Sequence, residues 1–164
     1  MKDYSKTSQE VIKDELMQLR TAILENLARF GRNATGETGR SLRIQLNPDG
    51  GALMGRTFFS TLEVGRGPTR DFTPHTPTLF QRILTWVKAK GVYPDDPSMT
   101  QTSLAIAITK RIHKSGTMLF RKKQRQDIYS TAVQRAIKNI NQRLLDEAVK
   151  QVSNIHLHLS GTYQ

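Results

Sequence analysis

Residues 42–51 read Leu-Arg-Ile-Gln-Leu-Asn-Pro-Asp-Gly-Gly, and this stretch decides between an all-helical chain and a mixed one. Leu42, Ile44 and Leu46 alternate with Arg43 and Gln45. That period of two puts apolar side chains on one face of a half-buried strand. Asn47-Pro48-Asp49-Gly50-Gly51 is turn chemistry: proline presets φ, Asn and Asp bond their own backbone, and glycine accepts positive φ. A β-prone run with Thr57, Phe58, Phe59, Thr61, Leu62 and Val64 follows, so a hairpin is expected over 42–64.

On either side the period changes to that of a helix. An N-terminal helix is expected over 8–30 from Ile12, Leu16, Leu19, Ile23, Leu27 and Phe30, with Thr7 and Glu10 as a capping box and Gly31 as its stop. Downstream, Thr76-Pro77 opens a helix over 77–90 with Leu79, Phe80, Ile83, Leu84 and Val87 inward, ended by Gly91. Ser98 with Gln101 starts another over 99–115, whose face is Leu104, Ala105, Ile108 and Ile112 and whose stop is Gly116. A long helix is expected over 127–152 with Val133, Ile137, Ile140, Leu144 and Val149 inward. Ile155, Leu157 and Leu159 then alternate with His156 and His158, the pattern of a closing strand over 154–159. The expected fold is α+β in a single domain, 1–164: a small antiparallel or mixed sheet, hairpin plus C-terminal strand, packed with about four helices.

Composition removes several kinds of chemistry. The chain has no cysteine, so disulfides, thiolate zinc sites and cysteine nucleophiles are excluded. No run approaches 18 uncharged apolar residues, and the opening MKDYSKTSQE lacks the apolar stretch of a secretory signal. Phosphate-loop, zincin, nucleophile-elbow and calcium-loop motifs do not occur. Gly65-Arg66-Gly67 runs into Pro68 and lacks the third glycine of a dinucleotide loop. His156 and His158 would share one face of a strand, with His75, His113, Glu63 or Asp71 as further ligands only if the fold delivered them. Two polar residues on the solvent side is the simpler reading, and no metal or cofactor is expected. The acidic pairs Asp14/Glu15, Asp95/Asp96 and Asp146/Glu147 lack the geometry of an acid/base pair, and Phe80 and Trp86 read as core.

The charge is unevenly placed. Lys and Arg number 25 against 14 Asp and Glu, a net +11, of which residues 64–126 carry +9. It peaks in Lys110, Arg111, Lys114, Arg121, Lys122, Lys123 and Arg125. A field of one sign concentrated this way suits a polyanion or an acidic protein neighbour. A solvated helix end with a basic loop is the plainer account of the same residues.

The run Phe58-Phe59-Ser60-Thr61-Leu62-Glu63-Val64-Gly65-Arg66-Gly67-Pro68 carries an E-x-G-x-G-P signature. A helix with Ile83, Trp86, Val87, Lys90 and Gly91 comes next, then one with Leu104-Ala105-Ile106-Ala107 and Ile112, closed by Gly116-Thr117. Over about 55–120 this order resembles the neck and tail-completion (head–tail connector) proteins of tailed bacteriophages. Where that family often has a Pro-containing stretch after its Gly-Thr, this chain has Met118-Leu119-Phe120-Arg121-Lys122-Lys123. The resemblance implies a non-enzymatic virion protein that forms a ring, a hexamer or a dodecamer, at the head–tail junction after assembly in the host cytoplasm. It implies portal, adaptor or tail proteins as partners, double-stranded DNA in the channel and no membrane. Glu63, Gly65, Gly67 and Pro68 would shape a loop, and the seven basic residues would face a neighbouring subunit or a polyanion. The alternative is a small basic DNA-binding protein that uses 110–125 for phosphate contacts.

Overall fold

The computed structural model describes residues 4–70 and 76–160, with side chains for 8–57, 59–70 and 76–153. The fold is mixed α+β. In chain order the elements are α1 (Tyr4–Arg29), α2 (Glu37–Arg40), β1 (Arg43–Asn47), β2 (Gly50–Met54), a 3-10 turn (Thr57–Ser60), α3 (Thr61–Val64), α4 (Leu79–Lys90), α5 (Gln101–Ser115), α6 (Met118–Arg121) and α7 (Ser130–Ser160). They pack as two compact units. The first comprises residues 1–25, 42–54 and 129–164; the second comprises 26–41 and 55–128.

In the first unit, α1 buries Val11, Leu16, Leu19 and Ile23 along one stripe. β1 and β2 pair antiparallel with Asn47 opposite Gly50, so Pro48 and Asp49 form the turn that the sequence dictates. The hairpin lies on α1 so closely that a Cβ on Gly51 would sit 2.8 Å from Leu16 and 2.9 Å from Ile12. Arg20 Nε donates to the Leu42 carbonyl at 3.2 Å. α7 is tied to α1 by a buried carboxylate. Glu15, 3% exposed, accepts from Asn139 Nδ2 at 3.1 Å and from Arg143 Nη1 at 2.9 Å. The two donors are four residues apart and share a helix face. The bond to Glu15 raises the Arg143 pKa above the ordinary arginine value.

In the second unit, α4 and α5 pack as a helical hairpin around Val87, Ala105, Thr109 and Ile112. Leu27, Leu119 and Ile128 are also buried, and Asn26 Nδ2 donates to the Ile128 carbonyl at 3.0 Å.

Several expectations are corrected. The second strand ends at Met54, and 57–64 is helical although its residues are β-prone. Strand propensity is a weak preference that tertiary demands override, and the demand here is the burial of Glu63 described below. The closing strand expected over 154–159 does not form, because α7 continues through Ser160. No glycine or proline interrupts 149–160, and Val152, Ile155 and Leu159 continue a helical 3–4 spacing as readily as Ile155, Leu157 and Leu159 alternate. A helix satisfies its own backbone, whereas a lone strand needs a partner.

Helix starts also move. α1 already runs from Tyr4, so Thr7 and Glu10 lie inside it. Thr78, not Thr76, caps α4 in a reciprocal box with Gln81. Thr100, not Ser98, caps α5 by accepting from Ser103 N. Ser98 is engaged by Asp96: its hydroxyl and N–H donate to Oδ1 at 2.7 and 2.9 Å and hold that carboxyl below the usual aspartate pKa.

Arg143→Ala should destabilise the protein by about 1–3 kcal/mol, because it strips a buried carboxylate of one charged donor. Partial exposure of the arginine places the loss toward the lower end. Thermal or urea unfolding reads it directly, and an unchanged midpoint would remove Glu15 as the tie between α1 and α7.

Candidate interaction site

The residues of the E-x-G-x-G-P signature and those of the basic segment lie in the same unit and are bonded to each other. Glu63, at the end of α3, is 1% exposed. Its Oε2 accepts from Arg125 Nη2 at 2.9 Å and Nε at 3.2 Å, and its Oε1 accepts from the Ile128 N–H at 3.0 Å. Its backbone carbonyl takes the Gln126 N–H at 2.9 Å. A carboxylate taken out of water is tolerated only when it is paired and bonded on both oxygens, and Glu63 is.

Beyond Glu63 the chain runs as a strap along 113–120. Arg66 N donates to Thr117 Oγ1 at 3.0 Å, and Thr117 N donates back to the Arg66 carbonyl at 2.8 Å. Thr69 N donates to the His113 carbonyl at 3.1 Å, and its hydroxyl lies 2.8 Å from His113 Nδ1. Two glycines make this approach feasible. Gly65 has φ 80° and ψ 171°, and Gly116 has φ 75° and ψ −179°, a region that essentially only glycine occupies. A Cβ at Gly65 would meet Thr117 Oγ1 and lie 2.6 Å from Phe120 N; one at Gly116 would lie 2.7 Å from the Arg66 carbonyl oxygen. Gly67 needs no positive φ; its Cβ would come 3.2 Å from the Phe120 ring. Pro68 is exposed.

The seven basic residues divide. Arg125 is bound to Glu63, while Lys110, Arg111, Lys114, Arg121, Lys122 and Lys123 are all exposed. Lys110 and Lys114 share one face of α5, and Arg111 lies a quarter turn round. The segment 117–126 contains the short helix α6, where an irregular stretch is expected from the sequence. Its end is a Schellman closure, with Lys123 N donating to the Phe120 carbonyl and Gln124 N to the Leu119 carbonyl, both at 3.1 Å. Lys123 itself has φ 51°, the left-handed position that glycine ordinarily fills.

Sequence reasoning names Glu63, Gly65 and Gly67 but misses the partners Thr117, Phe120 and Ile128. The sequence signals nearest to them are Gly116-Thr117, which reads as a helix stop, and the basic stretch after it. Among the described residues no group of three His, Asp or Glu is placed to hold a metal ion. His75 and Asp71 lie outside the described residues, as do the side chains of His156 and His158. No helix among the described residues is long and apolar enough to cross a membrane. Comparison with protein-family models, with curated proteins and with solved structures gives no match.

Gly65→Ala should cost about 1–3 kcal/mol from backbone strain alone, with steric overlap adding to it, whereas Gly67→Ala should cost less because only a ring edge must shift. Paired denaturation curves measure both, and equal costs would contradict the geometry of the strap.

Proposed function

We propose that this protein is a non-enzymatic structural subunit of the virion head–tail junction, a neck or tail-completion protein. It joins copies of itself and the portal-side and tail-side components around the DNA channel, after a stage in the host cytoplasm. The observation that carries the reading is the fate of the signature's one carboxylate. Glu63 is used up inside the molecule, on Arg125 and Ile128 N, so the stretch resembling the family shapes a loop and offers no reactive group.

This Glu63–Arg125 brace follows the turn from which Arg121, Lys122 and Lys123 are exposed, while Lys110, Arg111 and Lys114 are exposed on α5. Lys123 supports a role for this surface. A lysine kept at φ 51° bears a cost that glycine would avoid, and such outliers point toward function. In a neck, double-stranded DNA must slide. A lumen densely lined with Lys and Arg would hold DNA through counterion release. Most of Lys110, Arg111, Lys114, Arg121, Lys122 and Lys123 therefore meet acidic surfaces of neighbouring subunits or rings, with at most one or two reaching the channel.

Two outcomes are expected. Lys122→Glu combined with Lys123→Glu should leave the chain folded by circular dichroism and abolish joining to virion fractions in negative-stain microscopy. Lys123→Gly should fold at least as stably as the parent, by up to about 1 kcal/mol, yet join less well. If the double reversal still assembled, and the parent bound free duplex tightly at physiological salt with a steep salt slope, the chain would instead be a DNA-binding protein using 110–125.

A further inference from the structure

We infer that the C-terminal half of α7 is a self-association seam, whose occupant is the same helix of a second copy. Leu145 and Val152 are 58% and 67% exposed although both are large and apolar. Arg143 fixes the face of α7 that meets α1, through Glu15. At about 100° per residue, Leu145 and Val152 lie on the opposite side of the helix from Arg143, so the packing of the first unit leaves them uncovered.

The spacing is that of a coiled coil. Leu145, Ala148 and Val152 stand 3 and 4 residues apart, and Ile155 and Leu159 continue the same spacing in the sequence while the backbone stays helical to Ser160. This is an a/d pattern of two heptads, the repeat that lets two like helices bury a common seam. Upstream the same positions hold Lys138 and Asn141, polar residues of the kind that fix register at a cost in affinity. There the helix bears a shallow depression of about 480 Å³ bordered by Ile137, Asn141, Gln142 and Leu145.

Charge selects the occupant. The second unit carries sixteen basic and six acidic side chains, a net +10, while the first carries nine and eight, a net +1. Copies of this chain repel one another wherever second units meet, and the near-neutral first unit is where they can approach. Within it, residues 151–160 contain no Asp, Glu, Lys or Arg at all. A solvent-bathed helix face ordinarily carries charge, so a stretch without charge in which Val152, Ile155 and Leu159 keep the seam's spacing in the sequence suits a surface that is equally uncharged. Another α7 is such a surface.

The seam stands on α7 alone and holds wherever the copies are deployed. A chain that self-associates but never enters virion fractions would overturn the head–tail reading and leave this inference intact. The test is light scattering coupled to gel filtration on the full chain over a micromolar concentration series. The parent should run at twice 18.6 kDa or a higher multiple, and Leu145→Glu with Val152→Glu should run at 18.6 kDa with an unchanged helical spectrum. Met17→Glu, at an exposed position on α1, should keep the parent mass. Should the double glutamate variant lose helix, Leu145→Gln with Val152→Gln replaces it, with the same expected mass. A parent that stays at 18.6 kDa throughout, or a folded double variant that keeps the parent mass, overturns the inference.

Discussion

The burial of one carboxylate organises the second unit. An isolated charge in Glu63's position would cost several kcal/mol, so its surroundings have to supply donors at both oxygens. Arg125 and the Ile128 N–H do so from more than sixty residues away in sequence. Accepting those donors ties 125–128 to α3, the helical turn that carries Glu63. The strap 65–69 runs on from there along the end of α5. Gly65 and Gly116 are the positions where that path is too close and too strained for a side chain. A desolvated carboxylate, a helical turn, a loop course and two glycines are thus linked by one set of contacts.

The brace has an electrostatic consequence as well. Arg125 satisfies Glu63, but the arginine side chain remains 62% exposed, so the pair is screened on one side. Its contribution lies less in Coulomb attraction than in the unsatisfied groups that its loss would leave behind. With Arg125 held, the chain between Phe120 and Arg125 is short and anchored at both ends. Arg121, Lys122 and Lys123 are therefore displayed from a closed turn and not from a free loop. Fixing the backbone that carries them in advance would lower the entropy lost on binding a partner there.

What the sequence allowed to be read follows the range over which each feature is decided. The hairpin turn was legible because Asn47-Pro48-Asp49-Gly50 determines its own geometry within four residues. The buried stripe of α1 was legible for the same reason: Leu16, Leu19, Ile23 and Leu27 keep their period locally. The helicity of 57–64 was not, since Phe58, Phe59 and Thr61 say strand and only Glu63's distant donors say otherwise. Val11 and Glu15 illustrate the same limit. Glu15 sits on the buried stripe of α1, and no local pattern announces that Asn139 and Arg143 will arrive to receive it. The end of α7 failed differently, because a run such as Ile155-His156-Leu157-His158-Leu159 satisfies both periods. The unbroken helix before it is what decides the matter.

The two units divide the chain's chemistry between them. Nearly all the net charge, +10 of +11, belongs to the second, together with the Glu63–Arg125 brace. The first holds a hairpin laid on a helix, a buried carboxylate paired with Arg143, and a long helix whose last ten residues, 151–160, contain no Asp, Glu, Lys or Arg. On the reading proposed above, a strongly basic protein meeting both copies of itself and an acidic neighbour would face opposed requirements, since the charge that attracts one repels the other. Placing the two kinds of surface in separate units meets both. Copies joined through the proposed neutral seam would each bring further basic turns to the assembly, so that weak ionic contacts would gain strength from their number.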